Sequence, residues 1–343
     1  MDGIPPFVSF LKSLKTDTAL LAATFFAAAM IFVNGLTDAP VAIAPAVNSG
    51  AVKYKRAVLL AAVCNFAGTV SNVLFGSKVA ISIYDISGLT PDIPGAVRAF
   101  AAAMAAVAVW SLAALYFGLP TSESHALMAA LAGASARLCG LSAVSLSSWL
   151  KILLGIAVST VPVALFSAAA ADFLYIKIYR SRRISHEKLC RFQVLGAAFN
   201  CFSHGAQDGS KFAGVFTVAA ALCLKSSYET VTVPVWTALL SGVLISAGML
   251  SGGRKIVRSM GAYTPPDPAD CIAADLVSSV ALTALSLFGI PVSTTHAKVS
   301  ALAGIRLKQR SPSAKETAEL LKTVAVWMLT FPVCGALGFL LSA

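Results

Sequence analysis

The sequence predicts an all-α polytopic membrane protein with two inverted-topology repeats, broken or re-entrant helices and about 10–12 membrane segments. Three observations predict this class. The 343 residues are 57% hydrophobic and only 12% charged, with a mean hydropathy of +0.81, whereas soluble domains carry about 25% charged residues. Several apolar runs approach membrane-spanning length, and one polar pattern occurs twice along the chain.

Seven apolar runs approach or reach the length of about 20 residues that a helix needs to cross a bilayer. They cover residues 19–33, 57–75, 96–117, 150–175, 231–250, 272–290 and 322–342. The alternation of apolar and polar residues that marks the strands of an outer-membrane barrel does not occur in them. The N-terminal residues lack the cleavage site of a secretory signal, so the first run is expected to remain as a spanning helix.

Positive charge is concentrated in four short segments. The net charge is +11, and 16 of the 26 Lys and Arg residues lie in segments 53–56, 177–191, 254–258 and 306–315. Short loops rich in Lys and Arg face the cytoplasm. We therefore expect these segments to be cytoplasmic and both termini to be extracytoplasmic, in the plasma or inner membrane. The chain has no soluble domain that would bind nucleic acid, so the charge does not indicate a nucleic-acid partner.

Two pairs of motifs recur at one spacing. The segment "GLPTSESHALMAALAG" at 118–133 resembles "GIPVSTTHAKVSALAG" at 289–304, an offset of 171 residues, and Asp38 precedes Asp208 by 170. A constant offset indicates duplication, and five expected crossings per copy would orient the copies oppositely. This predicts a first membrane repeat at 19–176, a basic cytoplasmic linker at 177–191 and a second repeat at 192–343. A pattern duplicated only for packing is the alternative.

Each "GLP" or "GIP" is followed by a cluster of hydroxyl residues. A Pro followed by Ser or Thr commonly opens a helix, and a helix N-terminus attracts anions through its free N–H groups and its dipole. Ser122 and Ser124 in one copy, and Ser293, Thr294 and Thr295 in the other, would add neutral donors. We therefore expect the two copies to converge on one tetrahedral oxyanion; ordinary helix capping is the alternative.

Four carboxylates lie within the apolar part of the sequence: Asp38, Glu123, Asp208 and Asp275. Ionisable groups at membrane depth are costly and indicate function. Asp38 and Asp208, beside the amides of Asn34 and Gln207, suit Na⁺ or a proton, and a cation between them would offset repulsion of an anion. The alternative is that each Asp is only hydrogen-bonded within a packed interface.

Three histidines and two lysines accompany these motifs. His125, His204 and His296 are expected to orient hydroxyl or carbonyl groups, because no spacing in the sequence predicts a transition-metal site. Lys211 follows Asp208 by one helical turn, so it could pair with Asp208 or assist the binding of an anion. Lys298 is expected to form an ion pair or to extend toward the membrane surface.

At these positions the sequence resembles the inorganic phosphate transporter (PiT) family. The matching segments are "NGLTD" at 34–38, "HGAQD" at 204–208, the two Pro–Ser–His runs, "GGRKIVRSMG" at 252–261 and "CIAADLVSS" at 271–279. The resemblance covers roughly residues 20–340. It implies a symporter, not an enzyme, that moves inorganic phosphate with Na⁺ or H⁺ by alternating access and needs no other cofactor.

The resemblance also implies roles for individual residues. Those implied for phosphate are Ser122, Glu123, Ser124, Ser293, Thr294, Thr295, Asp38 and Asp208; those implied for the coupling cation are Asn34, Asp38, Gln207, Asp208 and Asp275; His125, His204, Lys211 and His296 are supporting. Two positions depart from the family pattern: Gln207 stands for Asn, and Glu123 for a hydroxyl residue. An ionised Glu123 can accept the P–OH of monobasic phosphate, which sulfate at neutral pH cannot offer.

Other functions remain open at the level of sequence. The same scaffold could carry sulfate or another tetrahedral oxyanion. An intramembrane hydrolase that uses Ser and His is disfavoured, because the sequence lacks the G-x-S-x-G pattern. A passive channel is disfavoured because it would not need paired buried carboxylates. The lipid bilayer is the expected surrounding, and a homodimer is left open.

Overall fold

A computed structural model of the chain describes residues 7–76, 78–90, 93–179, 184–224, 233–309 and 314–343, and these residues form helices and no strand. The helices are α1 (Phe7–Thr16), α2 (Thr18–Thr37), α3 (Ala39–Asn48), α4 (Tyr54–Phe75), α5 (Lys78–Ser87), α6 (Ala96–Phe117), α7 (Glu123–Cys139), α8 (Leu146–Tyr179), α9 (His186–His204), α10 (Ser210–Leu224), α11 (Val235–Ser251), α12 (Arg254–Ser259), α13 (Pro268–Leu287), α14 (Thr294–Gln309) and α15 (Ala314–Leu341). The all-α prediction is confirmed.

Six segments of the described chain are long and apolar enough to cross a membrane, and a seventh is bent by 67°. The six are Thr18–Asn48, Tyr54–Phe75, Ala96–Phe117, Leu146–Lys177, Pro268–Leu287 and Glu316–Leu341, and the bent pair is Val235–Ser251 with Arg254–Ala262. These seven coincide with the seven apolar runs of the sequence. The expected total of 10–12 segments also included α7, α14 and the segment formed by α9 and α10. These three do not meet the criteria of length and hydropathy that the other segments meet.

The order of helices in the first half recurs in the second. Helices α2 and α3 correspond to α9 and α10, α4 to α11, α6 to α13, α7 to α14, and α8 to α15. Packing follows the same correspondence: α7 packs on α15 whereas α14 packs on α8, and α2 packs on α6 whereas α9 packs on α13. The reciprocal packing agrees with the duplication that the sequence indicates.

The acidic motifs interrupt their helices only locally. Asp38 separates α2 from α3 by one residue that keeps helical dihedral angles (φ −89°, ψ −44°), and Pro40 lies in the first turn of α3, where no N–H donor is needed. Its counterpart, Asp208, lies in a π-helical turn, Gly205–Gly209, between α9 and α10. The expected breaks at these two motifs are therefore single irregular turns, of the kind often found at functional sites.

The two Pro–Ser–His segments do break the helical path. Gly118 (φ 69°) and Gly289 (φ 71°) end α6 and α13 in the left-handed conformation that glycine adopts without steric cost. A few non-helical residues follow each glycine before α7 and α14 begin. These segments therefore place two helix N-termini inside the protein.

The described residues of the four basic segments lie at one end of the molecule, which we call the basic end. The contacts that join them are Tyr54 Oη to the Gly252 carbonyl at 2.6 Å, Ser49 Oγ to Gln193 Oε1 at 2.9 Å, Tyr263 Oη to the Glu319 carbonyl at 2.8 Å, and the ion pair of Lys308 with Asp172. Helix α4 begins there, and its 22 residues reach the other end about 33 Å away.

The helices before the two breaks end on opposite sides of the molecule. At the basic end, Lys255 donates to the Tyr116 carbonyl at the end of α6. Away from it, Ser82 Oγ donates to the Gly289 carbonyl at 2.7 Å, just after α13. The chain thus enters α7 from the basic end and α14 from the opposite end, as two inverted copies require.

The predicted linker 177–191 is described only in part. Helix α8 continues to Tyr179 and α9 begins at His186, so Lys188 and Arg191 lie in the first turns of a helix rather than in a loop. Arg180, Arg182 and Arg183 lie outside the described residues. Ser185 caps α9 by accepting a hydrogen bond from the Lys188 N–H at 3.4 Å.

Helices α8 and α15 expose apolar side chains along their outer faces. Examples are Leu154, Leu165 and Phe166 on α8, and Met328 and Leu340 on α15. Exposed apolar surface of this extent is typical of contact with lipid.

Candidate functional site

The N-termini of α7 and α14 meet inside the protein. Ser122 Oγ accepts a hydrogen bond from the His125 N–H at 3.3 Å, and Ser293 Oγ accepts one from the His296 N–H at 3.2 Å. Both serines therefore cap their helices, and the phosphate contact expected of them stays a prediction. Ser124 Oγ donates to the Val292 carbonyl at 3.4 Å and joins the two segments. Two helix N-termini, each a favourable place for negative charge, therefore converge.

Asp208 is surrounded by hydrogen-bond donors. Lys211 Nζ lies 2.6 Å from Oδ1, while Thr294 Oγ1 donates to Oδ2 at 3.1 Å and Asn34 Nδ2 donates to it at 3.3 Å. His204 Nε2 lies 3.3 Å from the same oxygen. The predicted pairing of Lys211 with Asp208 is confirmed, and both carboxylate oxygens of Asp208 are occupied.

Asp38, the counterpart of Asp208, has a different environment. It is buried, its nearest charged neighbours include Glu123 and Asp208, and its Oδ1 has no hydrogen-bond partner among the described residues. Thr37 Oγ1 donates to Glu123 Oε1 at 2.7 Å, but Glu123 Oε2 also lacks a partner within the described part of the chain. Buried polar atoms without partners are rare in folded proteins.

The amides beside the two aspartates also present free oxygens. Asn34 uses its amide N–H to bond Asp208, and Gln207 Nε2 donates to the Ile290 carbonyl at 3.0 Å. Their oxygens, Asn34 Oδ1 and Gln207 Oε1, have no partner among the residues described. Carboxylate and amide oxygens are ligands that hard cations prefer, so these groups fit the predicted cation site.

The histidines pack differently from the expectation. The rings of His125 and His296 contact each other at 4.5 Å between centroids; His125 stacks on Phe331 at 4.7 Å, and His296 lies against Trp327 at 3.7 Å. Their ring nitrogens bond no hydroxyl or carbonyl of the described chain, because the faces and edges of both rings lie among other rings. His204 Nδ1 contacts Asn65 Oδ1 at 2.6 Å.

Asp275 lies in a separate buried pair. Its Oδ1 pairs with Lys298, and both side chains are almost completely buried. Gly196 of α9 lies beside Asp275 Oδ2. The ion pair expected for Lys298 is thereby confirmed. Asp275 Oδ2 has no partner among the described residues, and the role of Asp275 as a cation ligand stays a prediction.

Two residues of the candidate site were not identified from the sequence. Thr121, which is buried and whose hydroxyl has no partner in the described residues, occupies the motif position that Val292 holds in the second copy. A hydroxyl residue in one copy and an apolar residue in the other is a difference from which Thr121 could have been identified. Asn65, which holds His204, lies in the apolar run of α4 with no neighbouring motif, so no local signal identifies it.

Comparison with known proteins assigns the family. Residues 34–338 match the model of the phosphate transporter family. Two relatives, each named a probable low-affinity inorganic phosphate transporter, come from Bacillus subtilis (strain 168) and Rhizobium meliloti (strain 1021). The alignment with the first is 29% identical and spans 91% of this chain and 92% of the relative. The alignment with the second is 30% identical and spans 90% of this chain and 91% of the relative.

A solved structure titled "The sodium-dependent phosphate transporter" has the same fold. It superposes with a TM-score of 0.80 at 22% sequence identity, covering 95% of this chain and 98% of that one. The family and these relatives are transporters and not enzymes. Matched over most of its length and carrying spanning apolar helices, the chain is a multi-pass membrane protein that belongs to the phosphate transporter family.

Proposed function

We propose that this protein moves inorganic phosphate across the cell membrane, driven by Na⁺ or H⁺, by alternating access. The observation that carries the proposal is the pair of buried carboxyl groups, Asp38 and Glu123, each with an oxygen that no described residue bonds, beside two converging helix N-termini. Family membership supports phosphate as the transported anion.

The helix N-termini form the anion side of the proposed site. The backbone N–H groups at the starts of α7 and α14 and the aligned peptide dipoles favour a negatively charged ligand. The hydroxyls of Thr121 and Thr295 are buried and have no partner in the described chain, so they supply donors that need no rearrangement. Neutral donors around a tetrahedral oxyanion satisfy several of its oxygens at once.

Charge balance supports coupling to a cation. Three carboxyl groups, those of Asp38, Glu123 and Asp208, face one ammonium, that of Lys211. If all are ionised the cluster carries two negative charges, and a phosphate anion entering this low-dielectric interior is repelled. Binding Na⁺ or H⁺ at Asp38 and Glu123 removes the repulsion, so the cation and the anion favour each other's binding and travel together.

The two halves provide the moving parts. Their helices pack reciprocally across the middle of the molecule, and the proposed site lies where the halves meet. Rocking of one half against the other would expose the site alternately to each side. By the positive-inside rule, the basic end faces the cytoplasm and both termini face outward.

Reconstitution in liposomes tests the proposal. Uptake of labelled phosphate is measured with a Na⁺ gradient and a pH gradient imposed separately, and then with excess unlabelled phosphate or sulfate. We expect one gradient to accelerate uptake and phosphate to compete more strongly than sulfate. Phosphate uptake that neither gradient changes would contradict coupling, and stronger competition by sulfate would assign the site to that anion.

A further inference from the structure

The ammonium of Lys211 is completely enclosed by protein oxygens. Lys211 is buried, with 0% of its surface exposed. Its Nζ donates to Asp208 Oδ1 at 2.6 Å, to Ser124 Oγ at 2.5 Å and to the Val292 carbonyl. An ammonium has three N–H donors, and these three contacts use all of them. No donor of Lys211 is left for an anion.

The ligands of this ammonium are those of a small cation site. A carboxylate, a hydroxyl and a backbone carbonyl are oxygen ligands of the kind that hard cations take. They come from three places: the π-helical turn of the second half, the start of α7 in the first half, and the segment before α14. Lys211 therefore sits where the two halves meet, as an exchangeable cation would.

The oxygens related to these by the repeat have no equivalent ammonium. With the offsets of 170 and 171 residues, Asp208 corresponds to Asp38, Ser124 to Thr295, Val292 to Thr121 and Lys211 to Val41. Asp38 Oδ1 and Thr295 Oγ1, the counterparts of Asp208 Oδ1 and Ser124 Oγ, are both buried and lack partners within the described chain. Thr121 adds a third oxygen without a partner there, its hydroxyl Oγ1, whereas Val292 offers Lys211 a backbone carbonyl. Both side-chain oxygens that Lys211 contacts, those of Asp208 and Ser124, thus have repeat-related counterparts without a partner in the described chain.

We infer that Lys211 is a built-in cation: it holds permanently, at Asp208, the position that an exchangeable Na⁺ or H⁺ takes at Asp38. The transport cycle then loads its coupling cations only on the Asp38 and Glu123 side, and the cation role expected of Asp208 passes to Lys211. This inference rests on the proposed function and specifies which half of the site exchanges its cation.

The test counts the cations that bind together with phosphate. Binding of labelled phosphate to the purified full-length protein is measured over ranges of Na⁺ concentration and pH. The slope of log Kd against pH gives the number of H⁺ taken up, and the slope of log Kd against log [Na⁺], with its sign reversed, gives the number of Na⁺; their sum is the cation number. We expect Lys211→Asn to raise this number by one, because Asp208 now needs an exchangeable cation. At low Na⁺ and high pH the variant should bind phosphate at least about 10-fold more weakly.

Two further variants separate this role from a direct phosphate contact or a folding defect. In Lys211→Asn/Asp208→Asn both charges are gone, so the cation number should return to that of the wild type and phosphate binding at low Na⁺ should recover. Lys308→Asn removes the lysine of an exposed pair with Asp172 and should leave the cation number unchanged. If Lys211→Asn does not fold, the double variant alone decides.

Specific outcomes overturn the inference. An unchanged cation number in folded Lys211→Asn overturns it, and so does loss of phosphate binding in the double variant that added Na⁺ or H⁺ does not restore. Failure of the wild-type protein to bind phosphate would instead contradict the proposed function, and the two failures are therefore distinguishable.

Discussion

Glu123 makes the two halves chemically unequal at one residue. Its counterpart, Thr294, donates a hydrogen bond to Asp208 Oδ2 at 3.1 Å, whereas Glu123 accepts one from Thr37 at 2.7 Å and lies beside Asp38. The first half therefore holds two neighbouring carboxyl groups, and the second holds one that Lys211 neutralises. Under the proposed coupling, we therefore expect the exchangeable cation on the side of Asp38 and Glu123.

The first prediction concerns the proton on Glu123. Glu123→Gln keeps an acceptor for Thr37 but removes the titratable group, so phosphate uptake by proteoliposomes should depend less on pH than in the wild type. The matched control is Glu187→Gln, because Glu187 is exposed and, among the described residues, pairs with Arg191 on α9. A pH profile of Glu123→Gln that superposes on the wild type would exclude Glu123 from proton coupling.

A second prediction concerns the buried pair of Asp275 and Lys298. Lys298→Met leaves the Asp275 carboxylate buried and unpaired, and breaking a buried pair in this way costs about 3–5 kcal/mol of stability. The thermal unfolding temperature in detergent should fall markedly for Lys298→Met. Lys298→Met/Asp275→Asn, which leaves no buried charge, should recover most of the loss; an equally unstable double variant would contradict this account.

At the scale of residues, sequence predicts local pairs and misses distant ones. Lys211 was assigned to Asp208 because three residues make almost one helical turn. Lys298 of α14 pairs with Asp275 of α13, and no spacing in the sequence predicts this contact between two helices. The ring contacts of His125 and His296 likewise depend on α15, which supplies Trp327 and Phe331.

At the scale of elements, glycines let the acidic segments approach their neighbours closely. Gly205 opens the π-helical turn, and a Cβ there would lie 2.1 Å from the Asn65 carbonyl of α4. Gly35, its counterpart in α2, packs in the same way against the Ile245 carbonyl of α11, at 2.2 Å. Each of these glycines thus packs against a helix of the other half: Gly205 against α4, and Gly35 against α11.

The third prediction is that Gly205→Ala disrupts this packing. Overpacking costs about 1–3 kcal/mol, and the displaced Asn65 also holds His204 beside Asp208. Phosphate uptake and thermal stability should therefore both fall. Gly335→Ala in α15 is the control, because a Cβ there meets its nearest atom at an ordinary 3.6 Å. Equal tolerance of both substitutions would argue against the close packing.

The helices themselves were predictable, and the form of their breaks was not. Apolar runs such as 57–75 and 96–117 match α4 and α6 to within three residues, because hydropathy and length alone define a spanning helix. The two prolines of "NGLTDAPVAIAP" at 34–45 predict a broken helix or a re-entrant hairpin. Pro40 instead lies in a first turn, where it costs no hydrogen bond, so the helix is barely interrupted at Asp38.

At the scale of the whole molecule, the loops sort into two ends. The distribution of Lys and Arg predicted that four distant segments share one side, and contacts such as Tyr54 with Gly252 join them. Phe10 of α1 packs against Trp236, where α11 begins, and α11 runs from there to Gly252. The described N-terminal helix therefore lies at the end away from the basic segments.

The fourth prediction assigns these ends to the sides of the membrane. In a background in which the native cysteines are replaced by Ala, Ala343→Cys should react with a membrane-impermeant maleimide in intact cells, whereas Lys55→Cys should react only after permeabilisation. The positive-inside rule gives this direction. Labelling in the reverse order would contradict the proposed orientation, and labelling of both in intact cells would contradict the separation of the two ends.

The most direct test of the central claim is whether phosphate accumulates against its own gradient. Proteoliposomes with equal phosphate inside and outside are given an inward gradient of Na⁺ or of H⁺, and internal phosphate is followed with time. We expect accumulation above the external concentration in the wild type, its collapse when an ionophore dissipates the driving gradient, and no accumulation in Asp38→Asn. Internal phosphate that never exceeds the external concentration under either gradient would contradict coupled transport and favour a passive channel.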